Sequence, residues 1–540
     1  MFALNNDIAY NAIMNKPKIK NIYIFLPLLS ILLLLLGFRY SMLSWLAFIS
    51  LVPILIFTDK AKKENWSSKK IFWSLYIAGV IFGAANTSFI ISIKPQLWSG
   101  ISGPLVTILL YFIWVLIFLS YSTGWFGISY YLSREQTRLS SYKTFIIGVP
   151  LIWAILEYVK AFIFSIIFYG KGGSIGPIWT MGSLGYQITE TPLSYISRFI
   201  GLYGCSALIV LINVCIFYTL RKKYKPIIIT LTSSLALSLI AFIIYQPNGK
   251  TINVAAIQLQ AASNEFYLAK IQAISDQKGL NKKNISLLVL PEGTPFIEQK
   301  PNSQYIESVP KSLFRSSDFI AVSGGQNSGD GYKSERIIYT DKLGKKINEQ
   351  EKTFLIPIGE YSPYFLNELF SLLGKNDLKN QYLAYRENSK GRYPEYPFVH
   401  NGIAYGTLSC SGIIAPEYYR NMTKKGSNIL IDSARLDIFR DSPGFFNQTR
   451  ETLRYQTIAN ARPLVQSTYG GYSYIYDANG KVMANTNNLN TDLIEGAVKT
   501  SSRNTFYSQY GEFIIPTSII VLSFMFLGLD KKIYKMKKHK

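Results

Sequence analysis

The chain has 540 residues, of which 49% are hydrophobic, 15% aromatic and only 16% charged, and it carries a formal net charge of +24. Length alone would suggest three or four domains of about 150 residues, but the apolar residues gather into long runs, which excludes a plain string of soluble domains. The basic excess does not point to nucleic acid, because the lysines and arginines flank those runs and are not interleaved with aromatics on one folded face.

In chain order, seven apolar runs precede residue 250: 22–38, 43–58, 71–93, 105–131, 144–169, 199–220 and 227–245. Each approaches the length needed to cross a hydrocarbon core of about 30 Å. The first two are short and separated only by "RYSM", which predicts a tight hairpin; an eighth run covers 513–529. Eight such runs would leave a soluble bundle almost no polar face. Lys and Arg beside spans stay on the cytoplasmic side, and they cluster in alternate loops: Lys16, Lys18 and Lys20, then Lys60 to Lys70, then Arg134, Arg138 and Lys143, then "RKKYK" at 221–225, and finally "DKKIYKMKKHK". Both termini are therefore expected in the cytoplasm. The first run is expected to act as an anchor and not as a cleaved signal, since a further span follows at once. Of three cysteines, Cys205 and Cys215 lie within the sixth run, which argues against a disulfide framework.

From 251 the pattern changes to short apolar strands, Gly/Asn/Asp turns and amphipathic stretches. Strands are expected at 252–260, 286–292, 319–326, 402–410, 428–433 and 471–484, the last a hairpin turning at Asn479–Gly480. Helices are expected at 264–277, 416–426 and 447–461. Strands alternating with helices predict a layered α/β domain. Its span count puts that domain outside the cytoplasmic membrane. The organisation expected is a membrane part at 1–250 with spans one to seven, a periplasmic domain at 251–505, and the eighth span with a basic tail at 506–540.

Chemistry in that domain is constrained first by histidine. There are two, His400 and His539, and His539 lies in the predicted cytoplasmic tail. His400 opens the apparent strand that ends at Cys410, about 33 Å away along an extended chain, so a Cys–His pair is disfavoured and most zinc sites are removed. If Cys410 in "YGTLSCSGIIAPE" is a nucleophile, its base must be a carboxylate raised by burial, with a lysine to stabilise negative charge. Glu292 ends the apolar run "LLVLPE"; Lys352 precedes "TFLIPIGEY", which holds Glu360. Taken singly, each is as well explained by a surface cap, a surface lysine or a core cysteine.

Together, "LPEGTPF", "EKTFLIPIGEYSPY" and "LSCSGIIAPE", with Glu292, Lys352 and Cys410 spaced by 60 and 58 residues, resemble the Glu–Lys–Cys triad of the nitrilase superfamily. With the flanking spans, the whole chain resembles the apolipoprotein N-acyltransferase family, through "PLIWAILEYVK", "IPIGEY" and "RYQTIANARPLVQSTYGGYSYIYDANGKV" as well. The resemblance implies an α-β-β-α sandwich on an eight-span helical membrane bundle. It implies Cys410 as nucleophile, Glu292 as general base, Lys352 as oxyanion stabiliser and Glu360 as a supporting acid. No cofactor or metal is implied. The implied activity is transfer of an acyl chain from a membrane phospholipid, through a thioester, to the α-amine of a diacylglyceryl lipoprotein at the bacterial inner membrane, by a monomer. Glu157 and Lys160, one helical turn apart in the fifth run, are expected to pair or to meet a substrate headgroup, or else simply to snorkel to the interface. The segment 361–373 is expected to be either a lid dipping into the outer leaflet or an ordinary packed helix.

The sequence departs from the family around the nucleophile. Ser411 and Gly412 stand where Tyr and Glu are usual, "SARLDIF" at 433–439 replaces an Asn-Asp-Ala-Trp-Phe-Gly segment, and Gln448–Thr449 stands for Gln-His. This puts the acceptor in doubt. A nitrilase-type membrane acyltransferase or amidase with another acceptor, and an inactive lipid-binding homologue, remain open on sequence.

Overall fold

The computed structural model describes residues 22–93, 104–134, 142–260, 267–279, 284–293, 320–327, 334–343, 345–386, 388–439 and 442–538. His539 and the lysines before residue 21 lie outside them. The first half is helical: α1 (Leu26–Arg39), α2 (Val52–Lys63), α3 (Ser68–Asn86), α4 (Pro104–Ser133), α5 (Tyr142–Ile167), α6 (Ser197–Thr219) and α7 (Lys225–Ile244). Among the described residues six apolar helical stretches are long enough to cross a membrane: 41–63, 68–92, 106–133, 144–167, 194–219 and 225–244. The runs expected at 22–38 and 513–529 form shorter apolar helices, Tyr23–Arg39 and Ile514–Met525. The expected hairpin between the first two runs is a tight 3-10 turn, Ser41–Phe48, which continues toward α2.

Among the described residues the second half holds twelve strands. The first sheet has the order β12-β1-β2-β3-β4-β5, from Asp492–Lys499, Thr251–Gln258, Ile285–Val289, Ile320–Asn327, Glu335–Asp341 and Lys346–Glu351. The second has the order β11-β10-β9-β8-β7-β6, from Val482–Asn485, Tyr474–Tyr476, Leu464–Tyr469, Ile429–Arg435, Ile403–Ser409 and Phe398–His400. Side chains alternate across a strand, and here both faces are buried. Val254 and Ala256 of β1 face Ile403, Tyr405, Ile431 and Val465 of the other sheet. Ala255 and Ile257 face outward, in a cluster that Ile274 of α8 (Tyr267–Gln277) covers. The helices between β5 and β6 are α9 (Tyr364–Leu372) and α10 (Asn376–Arg386). Across the second sheet, Leu408, Leu430 and Leu464 pack on Tyr419 and Met422 of α11 (Pro416–Lys424) and on Leu453 of α12 (Pro443–Asn460). The result is helix, sheet, sheet, helix. The chain ends with α13 (Phe506–Tyr510) and α14 (Ile514–Lys538).

The expected strand 402–410 is half of a hairpin. His400 pairs with Ile403 at the start of β7, at the end opposite Cys410, so the histidine belongs to a turn far from the sulfur. The hairpin at 471–484 is present as β10 and β11, and Gly480 in its turn has φ +78°, a left-handed conformation suited to glycine.

The two halves share one packed interior. Phe89, Ile113, Phe164 and Trp179 from the helical part form one cluster with Phe354, Ile414, Phe445 and Phe446 from the sandwich. Arg198, fully buried at the start of α6, donates to the carbonyls of Ala241, Ile458 and Ala478 at 3.1, 3.0 and 3.0 Å and to Asn479 Oδ1 at 2.8 Å. Those acceptors come from α7, α12 and the β10–β11 turn. Replacing Arg198 by Met would remove the Arg198 donor from Ala478 O and Asn479 Oδ1, each loss costing about 1–3 kcal/mol, while Ala241 O and Ile458 O keep backbone donors. The variant is expected to melt at lower temperature in detergent, with a net loss of about 2–4 kcal/mol, while a surface substitution such as Lys424→Met leaves the melt unchanged.

Candidate active site

In a sheet of parallel strands, functional groups collect at the carboxyl ends, and here the carboxyl ends of β2 and β3 meet those of β7 and β8. Strand β2 ends at Val289, and Pro291, which has no N–H to continue a ladder, delivers Glu292 beyond the edge. A set of serines fixes this corner. Ser433 Oγ donates to Leu290 O at 2.7 Å, Ser323 Oγ to Pro291 O at 2.9 Å, and Ser409 Oγ to Glu292 Oε1 at 2.8 Å. Gly324 N–H donates to Ser433 Oγ at 2.8 Å, and a Cβ on Gly324 would lie 2.4 Å from Ser409 Oγ, so the close approach of the two sheets requires glycine there.

Lys352 leaves β5 and is 1% exposed. Its Nζ donates to Glu360 Oε1 at 2.5 Å, Glu335 Oε2 at 3.1 Å and Glu292 Oε1 at 3.3 Å. Its backbone is held as well: Lys352 N–H donates to Glu335 O at 2.7 Å, and Glu395 accepts from Thr353 N–H at 2.7 Å. Glu360 Oε2 accepts from Ile356 N–H at 2.8 Å. Sequence reasoning named Glu292, Lys352 and Glu360, and the fold brings them together. It missed Glu335, whose position at the start of a strand carries no local signal of burial, and Glu395.

Three carboxylates with ligand atoms within 4.8 Å of one another form an arrangement able to hold a metal ion. The Lys352 ammonium already occupies that position, donating to all three. Burial works against charge on Lys352, but Glu292, Glu335 and Glu360 outweigh it and hold the ammonium well above the ordinary lysine range. One cation cannot satisfy three anions. Two charges about 4 Å apart interact by about 4 kcal/mol at an effective dielectric of 20, so repulsion among the carboxylates rivals each attraction. Burial, then repulsion from Glu335, pushes Glu360 up to about 8, against the pull of Lys352. Burial likewise raises Glu335.

Cys410 follows β7 directly, at the first position of a 3-10 turn, Cys410–Ile414, with φ +45°. A non-glycine residue there is under backbone strain of about 1–3 kcal/mol, of the kind that collects at functional sites. Its Sγ lies 3.5 Å from Arg435 O, and the side chain packs partly buried against the aromatic cluster shared with the membrane helices. Burial raises the thiol well above its usual range, Glu292 adds to this, and Lys352 opposes it. The resting group is therefore a thiol that needs a base. Both bonds to Glu292 fall on Oε1, and Oε2 has no protein donor among the described residues.

The departures from the family pattern have physical correlates. A Cβ on Gly412 would sit 2.7 Å from Leu408 Cβ, so the usual acid cannot stand there without moving β7. Asp437 is held by Arg435 through Nε and Nη2, at 3.1 and 3.2 Å. Gln448 Nε2 donates to Asn86 O at 3.2 Å, at the end of α3. Glu157 and Lys160 do not bond to each other. Glu157 accepts from Leu184 N–H at 2.9 Å and Ser206 Oγ at 2.5 Å, whereas Lys160 Nζ lies 3.5 Å from Ser183 Oγ and 4.7 Å from the Tyr121 ring. Each is oriented by the neighbouring loop, because backbone donors there solvate the carboxylate better than a flexible ammonium on the same helix.

Removing the cation tests this account of the charge cluster. Lys352→Met leaves buried carboxylates unpaired, a loss of about 3–5 kcal/mol. An acid whose folded pKa is raised favours folding at low pH, and that advantage is lost as pH climbs from the ordinary carboxylate range to about 8 for Glu360. The gap in melting temperature between wild type and Lys352→Met is therefore expected to be larger at pH 8 than at pH 5.

Comparison with known proteins gives concordant results. The sequence profile of the "Apolipoprotein N-acyltransferase N-terminal domain" matches residues 30–215. The chain is similar to the apolipoprotein N-acyltransferase of Geobacter metallireducens, 27% identical over 416 residues covering 71% of this chain and 74% of that protein. It is also similar to the one of Rickettsia prowazekii, 22% identical over 397 residues covering 69% and 74%. Among solved structures, a carbon-nitrogen hydrolase from Helicobacter pylori covers 46% of this chain and 89% of its own, at 18% identity and TM-score 0.32. A nitrilase-superfamily amidase from Nesterenkonia covers 49% and 95%, at 14% identity and TM-score 0.35. The chain, an apolar helical part joined to a two-sheet sandwich, is thus similar in sequence to apolipoprotein N-acyltransferases over about 70% of its length.

Proposed function

We infer that the protein N-acylates lipoproteins, moving a fatty acyl chain from a glycerophospholipid to the α-amine of a diacylglyceryl-cysteine through a thioester on Cys410. The observation that carries this reading is the convergence of Glu292, Lys352 and the strained Cys410 at the seam between the sandwich and the membrane helices. Glu292 Oε2 takes the thiol proton as sulfur attacks the ester carbonyl, and Lys352 stabilises the oxyanion that forms. Collapse breaks the ester C–O bond, and the proton on Glu292 leaves with the lysophospholipid alkoxide. In the second half Glu292 takes a proton from the attacking amine, the C–S bond breaks, and the proton returns to the thiolate. This is a ping-pong transfer through an activated nucleophile. Glu360, shifted toward its neutral form by burial and by Glu335, lessens the build-up of negative charge in the cluster.

The membrane part has a physical reason. Each CH₂ of an acyl chain gains about 0.8 kcal/mol in lipid, so a site at the bilayer surface avoids extracting the chain into water. In this reading all eight runs, 22–38 and 513–529 included, lie in the membrane, with both termini cytoplasmic and residues 251–505 forming a periplasmic catalytic domain. The distribution of lysine and arginine supports this orientation. Helix α9 leaves Tyr364, Leu372 and Leu373 exposed, an apolar edge suited to the outer leaflet. A second reading, discharge to another amine or to water, is favoured by one observation, the glycine packed at 412.

Purified protein mixed with phospholipid should gain one acyl mass on Cys410, removable by hydroxylamine, and a diacylglyceryl-cysteinyl peptide should discharge it as an amide. Discharge only by water or another amine selects the second reading, and no adduct under any lipid condition overturns both. Cys410→Ser should abolish loading; Glu292→Gln should slow it by about 10²–10⁴-fold.

A further inference from the structure

On the far side of the nucleophile turn lies a cleft of about 330 Å³ that the reaction above does not use. It is framed by membrane helices α5, α6 and α14 and by α11 and α13 of the sandwich, with Tyr158, Tyr203, Glu417, Arg420, Tyr510 and Glu512 among its lining residues. Leu202, Tyr203 and Phe513 in its wall lie near the starts of the apolar runs 199–220 and 513–529. Thr180 lines it too and donates through Oγ1 to Ile414 O at 2.8 Å, which ties the cleft wall to the turn that starts at Cys410.

Its polar groups are incompletely satisfied by protein. The Arg420 side chain is 15% exposed and among the described residues meets one acceptor, Glu417 Oε1, at a long 3.5 Å, although a guanidinium carries five N–H donors. The Tyr203 hydroxyl is buried with no partner among the described residues. A buried hydroxyl left unpaired costs about 1–3 kcal/mol, so the site is built for something that bonds to it. Glu512 accepts from Leu202 and Tyr203 N–H at 2.9 and 3.2 Å, capping the stretch of α6 that restarts after Gly201, where φ is +69°. Burial, opposed by those N–H groups, pushes its carboxyl up to about 7.

The charge pattern selects the ligand. A simple anion would satisfy Arg420 but meet the two carboxylates, and a simple cation would suit the carboxylates and tyrosine faces but leave the guanidinium unanswered. We propose that the cleft binds the headgroup of a zwitterionic, ammonium-bearing glycerophospholipid as a non-catalytic site, with the phosphate on Arg420 and the Tyr203 hydroxyl and the ammonium among Glu417, Glu512 and the tyrosine rings. Arginine donates well to phosphate oxygens, and aromatic faces attract ammonium groups. Phe513, Ile515 and Leu202 continue the wall toward the membrane for the chains.

The test uses the full chain released from nanodiscs of equal parts phosphatidylethanolamine and phosphatidylglycerol and weighed by native mass spectrometry. Wild type and Cys410→Ala should both retain one phosphatidylethanolamine that Arg420→Ala and Tyr203→Phe lose, with short-chain phosphatidylethanolamine binding weakened about tenfold, the loss of one good hydrogen-bonded contact. Retention by Cys410→Ala separates this site from the acyl-transfer reading, which fails or stands on its own adduct. Equal retention by both cleft variants, equal retention of phosphatidylglycerol, or displacement by micromolar glycerophosphoethanolamine, which would assign the cleft to a soluble ester, overturns the proposal.

Discussion

A single buried ammonium is the constraint from which the rest of this architecture follows. Lys352 is almost inaccessible, and desolvating a cation on that scale costs several kcal/mol unless partners repay it. Three carboxylates do so, and they come from three separate places: the end of β2, the start of β4 and the turn after β5. The sheet order that puts β4 next to β5, and both at one end of a sheet whose middle strands are β2 and β3, is what makes the meeting possible. Because the three carboxyl groups share one ammonium, a change at one of them is felt by the others. Any substitution there alters the charge that the Cys410 thiol faces.

The second constraint is rigidity across the seam. If the sandwich were tethered to the helices by a linker, the sulfur would sample many depths relative to the bilayer. Instead the aromatic cluster, the fourfold bonding of Arg198 and the Tyr361 hydroxyl donating to Phe168 O at 2.9 Å tie strands, turns and spans into one interior. The side chain of Cys410 packs against that same cluster, so its distance from the membrane helices is set by core packing, which is stiff.

Legibility in the sequence follows the length scale of each interaction. The helical half could be read from apolar run length, since crossing a bilayer is a local, additive property; the short helix at Tyr23–Arg39 shows where run length ceases to fix element length. Strands buried on both faces, such as β1 and β7, were visible as apolar runs, whereas the polar edge strand β5, "KINEQE", was not. His400 and Cys410 read as one strand because the turn at Asn401–Gly402 is short; its φ values of +47° and +75° are what break it. Glu292, Lys352 and Glu360 were named through a resemblance to a motif. Glu335 could not be, because its burial depends on a neighbour 17 residues away that reaches it only once β4 and β5 pair.

Gly412, two residues beyond the proposed nucleophile, bears on how the proposed acceptor is handled. In the family pattern an acid stands at 412; here Leu408 of β7 closes that space. Asp437 does not replace it, since both carboxylate oxygens are already engaged by Arg435. An amine arriving at the thioester is protonated in water; it sheds that proton to solvent and must lose a second one as it attacks. In the proposed reaction the carboxylate oxygen left to take that proton is Oε2 of Glu292, because its Oε1 is held by Ser409 and Lys352, and Glu360 is bound at both oxygens. The same atom then serves both half-reactions, and recognition of the acceptor falls to contacts with its diacylglyceryl part along the apolar seam and not to a dedicated charge beside the sulfur.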